Sequence, residues 1–276
     1  MSRRLGVCSW SLQPTGPADL VDKVKACGLA AVQLALDPVR SGRWNETATV
    51  AALRKAGITV LSGMMEMAGE DYSTLRSIQT TGGVRPDARW PDNLAAARGN
   101  AQLAARLGLR LVTFHAGFLP HDRRDPERAR MLDRLRQLTA VFAEHGVRVA
   151  FETGQETADT LMMAFADLVL PDAGVNFDPA NLVLYGMGDP VAALRQLLPL
   201  VRQVHIKDAL PTATAGEWGS EVPVGTGRVD WPAFCALLRS RPDLDLVIER
   251  EAGTQRVADI RTAREVITAL LPEVSA

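Results

Sequence analysis

A closed (β/α)8 barrel is the α/β fold this sequence predicts, on three observations. Short apolar runs recur with helical segments between them, there are eight such runs, and 276 residues divided among them leave about 34 per unit, the size of one βα repeat in a barrel of ~250 residues. The runs also lack the apolar–polar alternation of a strand with one wet face, which marks a parallel sheet covered on both sides. A doubly wound open sheet is the alternative. The count of eight, and the absence of a GxGxxG turn after the first strand, favour the barrel.

Leu5 to Trp10 reads as the first strand, and a helix from Pro17 to Cys27 stops at Gly28. Leu29 to Leu36 is the second strand, Glu46 to Ala56 the next helix, and Ile58 to Gly63 the third strand. The rhythm then pauses for a long connection from Met64 to Arg89, which carries Glu66 and Glu70; a loop of this length in a compact fold is more often functional than idle. A helix from Pro91 to Leu107 leads to the fourth strand, Leu109 to His115, and a helix from Pro126 to His145 to the fifth, Arg148 to Glu152. In the second half, helices at Thr157 to Val169, Pro190 to Leu200 and Trp231 to Arg239 lead to strands ending at Asp178, His205 and Glu249, with a last helix over 255–270. No linker or shift of composition divides the chain, so residues 1–276 are expected to form a single domain.

Composition narrows the function. With 47% hydrophobic and 23% charged residues and a net charge of -1, the chain has no basic surface to suggest a nucleic-acid or anionic-lipid partner. Cys8, Cys27 and Cys235 are odd in number and widely spaced, which indicates neither a disulfide framework nor a thiolate metal site. Arg3-Arg4 is followed by an apolar stretch broken by Ser9, Ser11, Gln13 and Pro14, too short for a signal sequence. No run approaches the ~20 apolar residues of a membrane span. The expectation is a cytoplasmic protein without a membrane partner, with homo-oligomers possible through its long loops.

The chemistry sits at the strand ends. In a parallel barrel the carboxyl ends of the strands share one rim, so Glu152, Asp178, His205 and Glu249, spaced by 26, 27 and 44 residues, are expected to converge. Three carboxylates and an imidazole suit one divalent cation, with manganese, cobalt, magnesium and zinc all compatible. Such a cation grips neighbouring carbonyl and hydroxyl oxygens, while carboxylates on either side of the substrate, Glu152 and Glu249, remove and return a proton. Glu251, two residues on, shares a strand face with Glu249, so height along the strand must decide between them. His115, closing the fourth strand, and Lys207, just past His205, are expected to hold substrate oxygens. Trp10 is expected to form an apolar wall and Glu66 to support the site from the third strand. The Pro223-Val224-Gly225-Thr226-Gly227 segment is too irregular for a phosphate loop.

At these residues the chain resembles the sugar phosphate isomerase/epimerase family of xylose isomerase-like TIM barrels, over essentially its whole length. The segments that carry the resemblance are Phe151-Glu152, Phe177-Asp178-Pro179-Ala180-Asn181, Val204-His205-Ile206-Lys207-Asp208, the glycine segment above with Asp230-Trp231 behind it, and Ile248-Glu249-Arg250-Glu251. The resemblance implies that Glu152, Asp178, His205 and Glu249 bind one divalent metal and that the two glutamates act as acid and base, which places Glu249 rather than Glu251 in the site. It implies a metal-dependent isomerase or epimerase of a small sugar, sugar phosphate or polyol derivative working through an enediolate. A keto-polyol dehydratase and an inactive carbohydrate-binding barrel are the alternatives. The chain departs from the pattern of ketose 3-epimerases at Asn181 and Glu221, where those proteins usually carry His and Arg. Four histidines are too few for the metal cluster of endonuclease IV.

Overall fold

Three helices begin where an aspartate meets a proline. Asp125, Asp178 and Asp189 each precede a proline at the first helical position, and each carboxylate accepts a hydrogen bond from a first-turn backbone N–H. The proline fixes φ for the helix, and the carboxylate satisfies a donor the helix itself leaves open.

The computed structural model describes residues 3–171, 173–214 and 216–274. In chain order it contains β1 (Leu5–Cys8), α1 (Pro17–Ala26), β2 (Ala31–Ala35), α2 (Asp37–Arg40), α3 (Glu46–Ala56), β3 (Thr59–Met64), α4 (Leu75–Thr81), α5 (Trp90–Arg106), β4 (Leu111–Phe114), α6 (Pro126–Ala143) and β5 (Arg148–Glu152). The second half adds α7 (Ala158–Leu168), β6 (Ala173–Phe177), α8 (Pro179–Leu184), α9 (Pro190–Leu197), β7 (Val201–Ile206), β8 (Asp208–Leu210), β9 (Ser220–Val222), α10 (Trp231–Leu238), β10 (Asp245–Ile248) and α11 (Arg256–Leu270). Eight strands close into a ring in the order β1-β10-β7-β6-β5-β4-β3-β2, every neighbouring pair parallel. The predicted barrel is the observed one.

Strand side chains alternate between two environments. Val112 and Phe114 of β4, Val149 and Phe151 of β5, and Val175 and Phe177 of β6 point out to the helices and belong to the main core. The intervening positions point into the barrel, and there the upper layer is polar: Gln33, Ser62, Thr113, Asn176, Gln203 and His205 are all buried. The strands therefore read as apolar on one face only in part, with single polar residues set into hydrophobic runs.

Besides the short helices α2 and α8, which the sequence reading did not expect, two connections hold more structure than their sequence suggests. The connection over 64–89 contains α4, started by a capping box in which the Thr74 hydroxyl and Ser77 N–H, and the Ser77 hydroxyl and Thr74 N–H, satisfy each other. Ile78 of this helix packs with Phe118 and Tyr185, so the loop after β3 leans on the loop after β4 and on the end of α8. The connection after β7 folds into the antiparallel hairpin β8–β9, in register Asp208↔Val222. Asp208 organises the segment behind this hairpin: its carboxylate accepts from the backbone N–H of Ala209 (2.9 Å), Gly225 (2.9 Å), Gly227 (3.1 Å) and Val229 (3.2 Å) and from the Trp231 indole (2.9 Å). A Cβ on Gly227 would stand 2.1 Å from Asp208 Oδ1, so the wrap requires glycine there. The glycine segment is thus wound around a carboxylate of the protein's own.

Removal of that carboxylate strands several buried donors. Asp208→Ala is expected to cost about 3 kcal/mol in urea unfolding and to open the chain between Val222 and Asp230 to limited proteolysis before the barrel melts. Unchanged stability and an uncut segment would show that these bonds contribute nothing net.

Candidate metal centre

Four residues from four neighbouring strands meet at the carboxyl-end mouth of the barrel. Glu152 ends β5, Asp178 comes directly after β6 and caps α8, His205 lies in β7, and Glu249 comes directly after β10. One donor atom from each lies within 4.8 Å of the others, and all four residues are buried. The spacing along the sequence and the observed convergence agree. Height also separates Glu249 from Glu251: Glu249 sits in the cluster, whereas the Glu251 side chain is 53% exposed at the rim.

His205 Nδ1 stands 3.4 Å from Glu152 Oε1, 3.4 Å from Glu249 Oε2 and 3.8 Å from Asp178 Oδ2, with a hydrogen bond to none of them. Its other ring nitrogen is spoken for. Nε2 lies 2.8 Å from Gln33 Oε1, and Gln33 is itself oriented because its amide nitrogen donates to Thr113 Oγ1 at 2.9 Å. A carbonyl oxygen can only accept, so Nε2 carries a proton and Nδ1 is the nitrogen turned to the carboxylates, able to offer its lone pair once a cation replaces the proton that those carboxylates favour. The Asn176 amide, 3.1 Å from Nε2, then directs its donor to Glu152 Oε2 at 3.3 Å.

The carboxylates are held from behind. Asp178 Oδ1 accepts from the backbone of Ala180 (2.8 Å) and Asn181 (3.0 Å), leaving buried Oδ2 without a partner. Glu152 Oε1 accepts from Asn181 Nδ2 at 3.1 Å. Glu249 accepts from the Trp10 indole at 2.7 Å and from Lys207 Nζ at 2.9 Å. Burial works against ionising Glu249, but Lys207 and His205 outweigh it and hold its pKa well below the usual carboxylate range. For Glu152 the penalty of burial is outweighed by His115 and His205, and its pKa is also lowered. Burial raises Asp178, offset only in part by Lys207. Burial lowers Lys207 and His205, yet the acidic surroundings carry both well above their ordinary values.

This donor set fits a divalent cation. Two buried unpaired atoms, His205 Nδ1 and Asp178 Oδ2, face each other among three carboxylates, and buried polar atoms without partners call for an explanation. The Nδ1 lone pair, turned inward by Gln33, is the arrangement that metal-ligating imidazoles adopt. Cys8 also lies near, 3.7 Å from His205 Nε2, but burial pushes its thiol far up and keeps it protonated, a poor ligand.

Above the cluster opens a cavity of about 800 Å³. His115 lines it, 4.0 Å from Glu152 Oε2, its pKa lowered by burial but raised more by Glu152 and Glu70. Trp10 lines it too, and it supplies a hydrogen bond to Glu249 as well as the expected wall. Glu66 lines the cavity from an exposed position, and its carboxylate makes no hydrogen bond to the four clustered residues; the more enclosed acid of that loop is Glu70, which accepts from Gly83 N–H and from the Tyr72 hydroxyl. Sequence reasoning passed over Gln33 and Asn176 and gave Asn181 no role in the site. A lone amide inside an apolar strand run was the available signal for the first two.

The family model described as xylose isomerase-like TIM barrel matches residues 21–270. Among solved structures, a xylose isomerase domain protein from Planctomyces limnophilus is 32% identical over 91% of this chain and 91% of that one, with a TM-score of 0.85. A xylose isomerase-like TIM barrel protein from Mycobacterium smegmatis in complex with magnesium is 17% identical, covering 93% of this chain and 88% of its own, with a TM-score of 0.71. The 3-keto-D-glucoside 4-epimerase from E. coli is 17% identical, covering 97% and 99%, with a TM-score of 0.72. At that identity the last two share the fold. No curated protein matches the chain.

The buried groups generate two expected outcomes. Gln33→Leu frees the His205 ring to turn or change tautomer, and Mn2+ titration by calorimetry is expected to show affinity weakened about 10- to 100-fold with the fold intact; unchanged affinity would remove Gln33 from the centre. Glu156, buried in the β5–α7 loop with Oε1 unpartnered, is pushed up by burial from 4.5 to about 8. The unfolded chain releases this proton near pH 4.5 and the folded chain near pH 8, so its contribution to stability is present at low pH and lost as pH rises through that window. Glu156→Gln is therefore expected to change urea stability little at pH 5 and to raise it by about 3 kcal/mol at pH 9.

Proposed function

The chain belongs to the xylose isomerase-like TIM barrel family, and from that premise we propose that it isomerises or epimerises a small sugar or polyol derivative, moving a proton on the carbon beside a carbonyl. The observation that carries this reading is the placement of Glu152 and Glu249. Their strands, β5 and β10, stand three places apart around the ring of eight, so the two carboxylates enter one buried centre from different sides of the mouth. Paired bases on opposite faces of a substrate are what proton removal and return require.

In this reading one glutamate takes the proton, and the C–H electron pair moves toward the carbonyl oxygen to give an enediolate. The other glutamate, which must carry a proton in the substrate complex, gives it up and is left ionised. Return to the same carbon from the opposite face inverts it; return to the neighbouring carbon, with the hydroxyl proton of the first carbon passing to the former carbonyl oxygen, shifts the carbonyl. Lys207 keeps Glu249 anionic and offers a donor to a substrate oxygen, and His115 beside Glu152 holds a hydroxyl. Trp10 fixes the Glu249 carboxylate while its ring packs on the sugar, and Glu66 at the cavity wall takes a further hydroxyl. Glu152, Asp178, His205 and Glu249 would hold one divalent cation, which polarises the carbonyl and acidifies the neighbouring C–H. Oxygen-rich ligation favours magnesium or manganese, in keeping with the magnesium complex of the Mycobacterium smegmatis protein. Three buried, unpaired cysteines suit the reducing cytoplasm.

Deuterium exchange tests the reading directly. Metal-loaded protein in deuterated water is expected to exchange the proton beside the carbonyl of its substrate across a panel of ketoses, keto-glycosides and inososes, and Glu152→Gln and Glu249→Gln are each expected to slow exchange by about a thousandfold. Exchange undiminished in both variants would end the two-glutamate reading. Net loss of water during exchange would turn it to dehydration.

A further inference from the structure

The cavity is built against negative charge. Resting on the proton-transfer reading above, we infer that the substrate is an uncharged carbohydrate, a free keto-sugar or keto-glycoside without phosphate or carboxylate. Three independent features converge on this.

The first concerns backbone amides. In (β/α)8 barrels a phosphate group is most often taken by N–H groups of the loops after the seventh and eighth strands, here β7 and β10. In both loops the amides nearest the cavity-lining Glu221 and the buried Asp208 are filled from within. After β7, the N–H groups of Gly225, Gly227 and Val229 all donate to Asp208. After β10, the N–H groups of Glu251 (2.9 and 3.2 Å) and Ala252 (3.2 Å) donate to Glu221, which also receives Arg250 Nη1 at 2.7 Å. Glu221 is 8% exposed and lines the cavity, so a carboxylate of the chain stands where a substrate phosphate would be received. An incoming dianion would meet the like charge of Glu221 there.

The second is the charge of the walls. Besides Glu152, the described lining residues include the carboxylates of Asp37, Glu66, Glu70, Glu221 and Glu251, against Lys207, Arg43 and His115, the last already beside Glu152. Lys207 is already held by Glu249 and by Glu251 at 2.8 Å, and Arg43 is exposed. A divalent cation among Glu152, Asp178 and Glu249 meets three carboxylates of its own and leaves no excess of positive charge for a remote anionic group.

The third is what remains of the surface. Trp10, Trp44, Tyr72, Tyr185 and Trp218 also line the cavity, and rings with polar edges suit the C–H faces and hydroxyls of a neutral sugar. At about 800 Å³ the space lies toward the upper end of ordinary ligand pockets, with room beyond one ring for a neutral aglycone.

Matched pairs decide it. Metal-loaded wild type is given each free ketose or keto-glycoside alongside its terminal phosphate ester or uronate, following both deuterium exchange and calorimetric binding, with inorganic phosphate as competitor. The neutral member is expected to be exchanged with kcat/KM at least about 100-fold above its charged partner, and phosphate at about 10 mM is expected not to compete. Equal or better exchange of the charged member overturns the inference and leaves the proton-transfer reading standing. Neutral sugars that bind without exchange, while their esters do not bind, uphold the inference and sink the proton-transfer reading. Failure to bind either member of any pair overturns both.

Discussion

Three carboxylates are buried within one small volume at the mouth of this barrel, and most of the structure around them answers the electrostatic cost. Isolated ionised carboxylates in a low-dielectric interior are far too expensive to keep, so each must be paired, hydrogen-bonded or neutralised. Lys207 bridges Glu249 and Glu251, His205 stands among all three clustered acids, and Asp178 spends one oxygen on the start of α8. What these partners leave over, one imidazole nitrogen and one carboxylate oxygen, is directed inward. Those leftover atoms are placed as ligands to a cation would be.

Beneath that layer the barrel interior is itself a hydrogen-bonded scaffold. The Ser62 hydroxyl donates to Gln203, Gln203 to Asn176 at 3.2 Å, and Gln33 to Thr113, so residues from β2, β3, β4, β6 and β7 are linked across the barrel axis. A fully connected buried network is stiff and intolerant of partial satisfaction. Here it has a directional result, because its upper edge sets which nitrogen of His205 carries the proton. The fold therefore tunes the site from below, through neutral amides, as well as from the sides, through charges.

The loops on the carboxyl side do a second kind of work. Asp208 and Glu221 act as internal anions that gather loose amides after β7 and β10, while α4 and Phe118 pack against Tyr185, which lines the cavity. Wall and chemistry are thereby coupled, since Tyr185 closes the same α8 that Asp178 opens. Among the described residues no helix is long and apolar enough to cross a membrane, and the apolar surface of the helices is spent on the barrel.

Much of this was legible in the linear chain. Periodic apolar runs, prolines behind aspartates, and glycines behind helices determined eight strands, their order and their parallel sense, because each is a local consequence of backbone geometry. The quartet was legible for the same reason: strand ends in a parallel barrel share a rim, so Glu152, Asp178, His205 and Glu249 needed only their position in the repeat. Other features depended on partners far apart in sequence. Gln33 reaches His205 across 172 residues, Trp10 reaches Glu249 across 239, and α4 is held by contacts with Phe118 and Tyr185. No local pattern encodes such pairings. By itself the sequence determined the barrel and the residues brought to its mouth; only the tertiary structure decided which nitrogen faces inward, which glutamate is buried and which amides are already taken, because those depend on distances across the barrel axis and on which side chain arrives first at a shared donor.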